Sequence, residues 1–142
     1  MSNEFLQPAE WARPKGYSNG MAARGRMIFV SGQIGWDAQG RFAGPGLAGQ
    51  VQQALRNIVR VLEEGGAEPC HLVRLTWYVL SRDAYLREVR EIGAAYREVI
   101  GKHFPTMSVV EVRGLVEQQA LVEIEATAVV PDDEAHGRLA SA

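Results

Sequence analysis

Between Leu121 and Val130 the chain alternates without a break. Val122, Ile124, Ala126, Ala128 and Val130 take one parity, and Leu121, Glu123, Glu125, Thr127 and Val129 take the other. Side chains of a strand point alternately to its two faces, so this run predicts a strand with one fully apolar face. The other face is mixed, with two carboxylates among apolar neighbours. A chain holding this segment must supply a layer to cover the apolar face, and it must also account for the mixed one.

The covering layer is legible upstream. Leu47, Val51, Ala54, Leu55, Ile58 and Leu62 recur every three or four residues, which lines one side of a helix. Gly65 and Gly66 are placed to end it. A second helix is expected after Asp83 as N-cap, with the stripe Leu86, Val89, Ile92, Tyr96 and Val99, closed by Gly101 and Pro105. Between the helices, Val73, Leu75, Trp77 and Val79 alternate with Arg74, Thr76 and Tyr78, a second strand. Met107 to Val112 reads as a third. Near the start, Tyr17 to Ala23 and Met27 to Val30 flank Arg24-Gly25-Arg26 and are expected to pair as a hairpin. Asp37-Ala38-Gln39-Gly40 has the residues of a type I turn. The order is ββαβαββ: one mixed sheet with two helices on one face, an α+β two-layer sandwich.

Two helices leave the other sheet face bare. That face is expected to carry Thr76, Tyr78, Met107, Val109 and Glu111, with Leu121, Glu123 and Glu125. It is too apolar to be solvated comfortably and too acidic for an ordinary core. A second copy of the chain is the simplest cover, so the sequence predicts a homo-oligomer.

Length fits a single domain: 142 residues lie within the common range of about 100–150. Residues 1–13 and 131–142 read as tails around a body spanning 14–130. Fifteen Lys and Arg against seventeen Asp and Glu give a net charge of −2, which is not the basic footprint of a nucleic-acid binder. One cysteine, Cys70, rules out an intrachain disulfide and fits a reducing compartment. An acid, Glu4, stands where a signal peptide carries Lys or Arg, and no apolar run approaches the ~20 residues of a membrane span. A cytoplasmic protein is expected, with no membrane or nucleic-acid partner.

Motifs for familiar chemistries are missing. His71, His103 and His136 do not stand at metal-ligand spacing, and neighbouring Cys70 and His71 would point apart in extended chain, so no metal is expected. Ser31 lies in Ser-Gly-Gln rather than in a nucleophile elbow, and Gly44-Pro45-Gly46 reads as a loop. Glu123 and Glu125 stand out. Residues two apart on one strand face are ~7 Å apart at the backbone. Under a partner they would be partly desolvated and suited to acid–base work; on a solvated edge they would be two ordinary acids. Tyr17 and Glu111 carry the same ambiguity.

Gly16-Tyr17-Ser18-Asn19-Gly20, Ile28 to Ile34 with its Val-Ser-Gly-Gln, Gln50 to Asn57, His103-Phe104-Pro105 and Val122 to Val129 with its Val-Glu-Ile-Glu-Ala together resemble the RidA (YjgF) family. The resemblance covers about residues 14–130, in the family's order and spacing. It implies a chorismate-mutase-like fold, a homotrimer with sheets inward, and small-molecule clefts between subunits. It also implies hydrolysis of enamines and imines to a keto acid and ammonia without a cofactor. By position, Glu125 matches the glutamate that holds the attacking water, and Tyr17 the cleft tyrosine. Ser31, with Gly32 beside it, matches the serine near the cleft.

One position departs. Family deaminases carry an arginine two residues after the Phe-Pro, and Met107 stands there in this chain, with Val109 in place of a frequent cysteine. Methionine offers none of the bidentate grip of an arginine on a carboxylate. Arg113 shares its parity but lies ~20 Å along an extended chain. The expectation is therefore an imine hydrolase acting through Glu125 and Tyr17 on an imine other than simple 2-imino acids. Ser31, Gly32, Met107 and Val109 would line its substrate cleft. The alternative is a non-catalytic trimer that binds a small molecule between subunits. A ribonuclease, an activity attached to this family, fits the acidic composition least.

Overall fold

The computed structural model describes residues 3–134. Met1, Ser2 and most of the expected C-terminal tail, His136 included, lie outside the described residues. The elements are β1 (Glu4–Leu6), β2 (Gly20–Ala22), β3 (Gly25–Ile34), α1 (Gly46–Glu64), a single 3₁₀ turn (Pro69–His71), β4 (Leu72–Val79), α2 (Arg82–Arg87), α3 (Val89–Val99), β5 (Thr106–Glu111) and β6 (Val122–Pro131). β3, β6, β4 and β5 form a four-stranded sheet in that order, with β4 and β5 parallel and the other pairs antiparallel. α1 packs on β3 and β6, and α3 packs beside α1. The architecture is the expected α+β layering of helices on one face of a mixed sheet. No helix among the described residues is long and apolar enough to cross a membrane.

The two strongest sequence periods form the core. Val51, Ala54, Leu55, Ile58 and Leu62 of α1 are completely buried against the even-numbered residues of β6, of which Val122, Ile124, Ala128 and Val130 are also fully buried. Each such aliphatic side chain contributes roughly 1.5–3 kcal/mol by leaving water. Leu55→Ala would open a cavity as well and cost about 2–5 kcal/mol. Gly66 takes the left-handed conformation, φ 73°, just past α1, as the paired glycines predict.

α1 starts at the cis Gly44–Pro45 peptide, without a capping side chain of its own. Its first N–H groups are met from a distance: the Glu88 carboxylate accepts from Ala48 at 3.1 Å and from Leu47 at 3.4 Å. A negative group at a helix N-terminus also complements the helix dipole. Glu88 sits at the junction of α2 and α3, and the helix expected after Asp83 is broken there. Ser81, not Asp83, is the N-cap, its hydroxyl accepting from the Ala84 N–H at 3.0 Å. Asp83 falls inside the first turn, where an acid is also favourable.

The expected hairpin at residues 17–30 does not form. β2 pairs with β1, and β3 pairs with β6 at both ends, on either side of Ser31 and Gly32. Sequence neighbours pair often but not always. Here β6 offers an apolar face that a three-residue β2 cannot. Gly25 permits the approach: its φ is 150°, and a Cβ there would lie 2.0 Å from the Val130 carbonyl oxygen. Glu4–Leu6 is thus part of the folded structure, although residues 1–13 read as a tail. At the far end, Pro131 ends β6, and residues 132–134 make a helical turn. A register shift at the start of β4 gives Leu72, rather than Val73, the core position.

Candidate functional site

Chemistry-bearing side chains gather on both faces of the sheet. On the face away from the helices, β6 sets Glu125 opposite Thr76 and Glu123 opposite Tyr78 of β4. The Tyr78 hydroxyl reaches diagonally and donates to Glu125 Oε1 at 2.5 Å. That bond, reinforced by partial burial and by the negative charge of Glu125, raises the phenol above its ordinary pKa and keeps it a donor. With one oxygen held by Tyr78, the carboxylate has a fixed orientation.

Ser31 and Gly32 lie where β3 and β6 shift register, between Val30 and Gln33. A Cβ at Gly32 would fall 2.3 Å from a Glu123 carboxylate oxygen, so glycine lets that side chain lie across β3. Glu125, Ser31, Arg74, Thr76, Thr127 and Phe29 border one hollow of about 490 Å³. The Arg74 guanidinium donates to the Ser108 hydroxyl at 3.2 Å. The hollow therefore combines an oriented carboxylate, hydroxyls and a cation. On this face Phe29 is 70% exposed and Val110 43%, at opposite edges of the sheet.

Met107 and Val109 are not on that face. β5 runs parallel to β4 with Met107 beside Leu75 and Val109 beside Trp77, both core residues. The reading that grouped them with Thr76 and Tyr78 is corrected by one residue of parity. Alternation fixes which residues share a face within a strand, but not which face a strand turns toward its neighbours.

Met107 and Val109 border instead a second hollow of about 460 Å³ between the edge of the sheet and α3. Its wall is aromatic. Tyr96 stacks on Phe104 with centroids 5.5 Å apart and on Trp77 at 6.3 Å, and Tyr85 meets the Trp77 ring edge-on at 6.5 Å. The Tyr96 hydroxyl donates to the His103 carbonyl at 2.7 Å, and burial pushes its pKa well up. Tyr17 belongs to this hollow, and Lys15 and Arg97 border it. Tyr17 is held at the β5 edge because the Ser18 N–H donates to the Pro105 carbonyl at 3.1 Å and the Ser18 hydroxyl to that of Phe104 at 2.5 Å.

The site residues named from sequence thus divide: Glu125, Ser31 and Gly32 on the open face, Tyr17, Met107 and Val109 on the helix side. Sequence reasoning missed Tyr78 as the partner of Glu125, although alternation sets it on the same face as Thr76. It also missed the wall of Trp77, Tyr96 and Phe104, which arises from three separate elements.

Cys70 and His71 do not sit in extended chain. The 3₁₀ turn brings the Cys70 sulfur, a His71 ring nitrogen and a Glu68 carboxylate oxygen within 4.8 Å of one another. Both His71 ring nitrogens have protein partners: Nδ1 accepts from the Glu68 N–H at 2.9 Å, and Nε2 meets Glu134 Oε1 at 3.0 Å. The buried imidazole acts as a clamp between the turn and the end of β6.

Comparison with known proteins adds a lineage. Residues 9–130 match the family model described as endoribonuclease L-PSP. The human 2-iminobutanoate/2-iminopropanoate deaminase is 30% identical over 105 residues, 73% of each chain. The crystal structure of a Rid-family protein of unknown function from Yersinia pestis superposes with a TM-score of 0.79 at 30% identity, covering 92% of this chain and all of its own. A YjgF-family structure from Mycobacterium tuberculosis gives 0.61 at 34% identity over 82% and 88% of the two chains. The matched span takes in both hollows and every strand of the main sheet, and the chain belongs to the RidA (YjgF) family.

Proposed function

We propose that the protein is an enamine/imine deaminase whose substrate is a reactive imine other than the small 2-imino acids. The observation that carries this reading is Glu125, oriented by Tyr78 in a hollow it shares with Ser31 and Arg74. The free oxygen of Glu125 holds a water and takes its proton as the water attacks the imine carbon. The carbinolamine then collapses, the nitrogen leaves as ammonia, and a carbonyl remains. Imine hydrolysis consumes water alone, so the balance needs no electron carrier. Relatives at about 30% identity bear deaminase names, which favours the same chemistry.

The proposed working form is a cytoplasmic homotrimer. Glu125 and Tyr17 lie in different hollows of one chain. A neighbouring copy seated on the open face would bring the Glu125 hollow of one subunit to the Tyr17 and Met107 hollow of the next. The exposed Phe29 and Val110 would be covered by that contact.

The test is ammonia release from a panel of imines by the wild type and Glu125→Ala. A loss of about 10²–10⁴-fold is expected for removal of a general base; equal rates would sink the role given to Glu125. The aromatic hollow favours a second reading, a trimer that binds a small apolar ligand without turnover. Ligand-dependent thermal stabilisation with no ammonia from any imine would support it over the first.

A further inference from the structure

We propose that the aromatic hollow selects ligands with a large planar body and a carboxylate, and that Arg97 and Lys15 hold that carboxylate. The inference rests on the deaminase reading above for its substrate class: the imine would be that of an aromatic or similarly bulky amino acid.

Three observations converge. The first is size. A water occupies about 30 Å³ in the liquid, so an imino acid of about six non-hydrogen atoms leaves most of the hollow's ≈ 460 Å³ wet. A phenyl or indolyl group fills it far better. The second is the wall. The Tyr96 and Phe104 rings stack within 16° of parallel, and Trp77 lies 27° from Tyr96. Trp77 and Tyr96 are almost wholly buried in this stack, so a guest meets mainly Tyr17, Phe104, Met107 and Val109, an aromatic and thioether surface on which a ring packs well.

The third is charge. Met107 adds no cation from β5, but Arg97 of α3 and Lys15 both border the hollow. Neither is paired with a carboxylate among the described residues. Arg97 projects from a helix whose packing fixes its position, and its planar fork suits a carboxylate.

The test is calorimetric titration of the wild-type protein with 3-phenylpropanoate, 3-phenylpropanamide and propanoate. The first should bind about tenfold or more tighter than either of the others, as one charge-assisted contact allows. Arg97→Gln combined with Lys15→Gln should bring the carboxylate down to the affinity of the amide and leave the amide unchanged. Both positions are exposed, so the fold tolerates the changes, and unfolding temperature checks this. Equal affinity for acid and amide in the wild type, an unaffected acid in the double variant, or no binding of 3-phenylpropanoate would overturn the proposal. A turnover arm separates the two readings. Selective binding with no ammonia from any imine of the panel, the phenylalanine-derived one included, would remove the deaminase and leave the hollow's selectivity standing. Glu125-dependent ammonia release with no preference between the phenylalanine-derived and alanine-derived imines would remove the hollow's selectivity and leave only the hydrolytic role of Glu125 standing.

Discussion

On the open face of the sheet Glu125 stands among hydroxyls with Tyr78 bonded to it, and Arg74 borders the same hollow. On the helix side Met107 stands among stacked rings, with Tyr17 at the rim. The first hollow has a carboxylate suited to orient water and move a proton, with Phe29 as its one aromatic ring. The second has wall and cations but no carboxylate to act as a base. Neither region is a complete active site. On the proposed reading, reaction and recognition are separated across one sheet, and a second copy of the chain is the simplest way to join them.

The separation can be broken most sharply at Glu125. Glu125→Gln should lower turnover about 10²–10⁴-fold while 3-phenylpropanoate binds as before. Loss of ligand affinity in that variant would mean that the two hollows are not independent. Tyr78→Phe should cost about tenfold in kcat, the effect of loosening an oriented base by one hydrogen bond. Binding in the aromatic hollow should again be unchanged. Met107→Arg tests the other side. A cation on β5 should lower KM for the alanine-derived imine about tenfold, and kcat should change little. An unchanged KM would show that β5 does not face the substrate's carboxylate.

The smallest effect is a titration. The folded-state pKa of the Tyr78 phenol is raised, so the stability it contributes is present below the ordinary value of 10.0 and is lost as pH climbs through the raised one. Glu125→Ala should move this phenol back toward 10.0 in tyrosinate absorbance. No movement would mean that the bond between Tyr78 and Glu125 is absent in solution.

How much of this was legible depended on whether the controlling contact was local. The stripe from Leu47 to Leu62 and the alternation from Val122 to Val130 specify their own faces, and both are buried as read. The glutamate at 125 stands out within its own strand for the same reason. Features that failed to show depend on distant partners. Gly25 marks a close approach to Val130, not a hairpin turn. Glu88, at the junction where the helix expected after Asp83 breaks into α2 and α3, caps α1 from a distance. The parity of Met107 is decided by its parallel register with Leu75, which no pattern inside β5 contains. The candidate site divides along the same line: the face of Glu125 follows from its own strand, whereas its bond to Tyr78 and the aromatic wall depend on other elements.

The measurement that bears most directly on the shared site is complementation. Glu125→Gln and Tyr17→Ala are each assayed alone for ammonia release, then unfolded together, coassembled and assayed again. Sites built from two copies predict that the mixture recovers activity neither variant has, since random mixing in the proposed trimer leaves about a quarter of the interfaces with both native residues. A mixture no more active than the mean of its two components would contradict the account, because every site would then lie within a single chain.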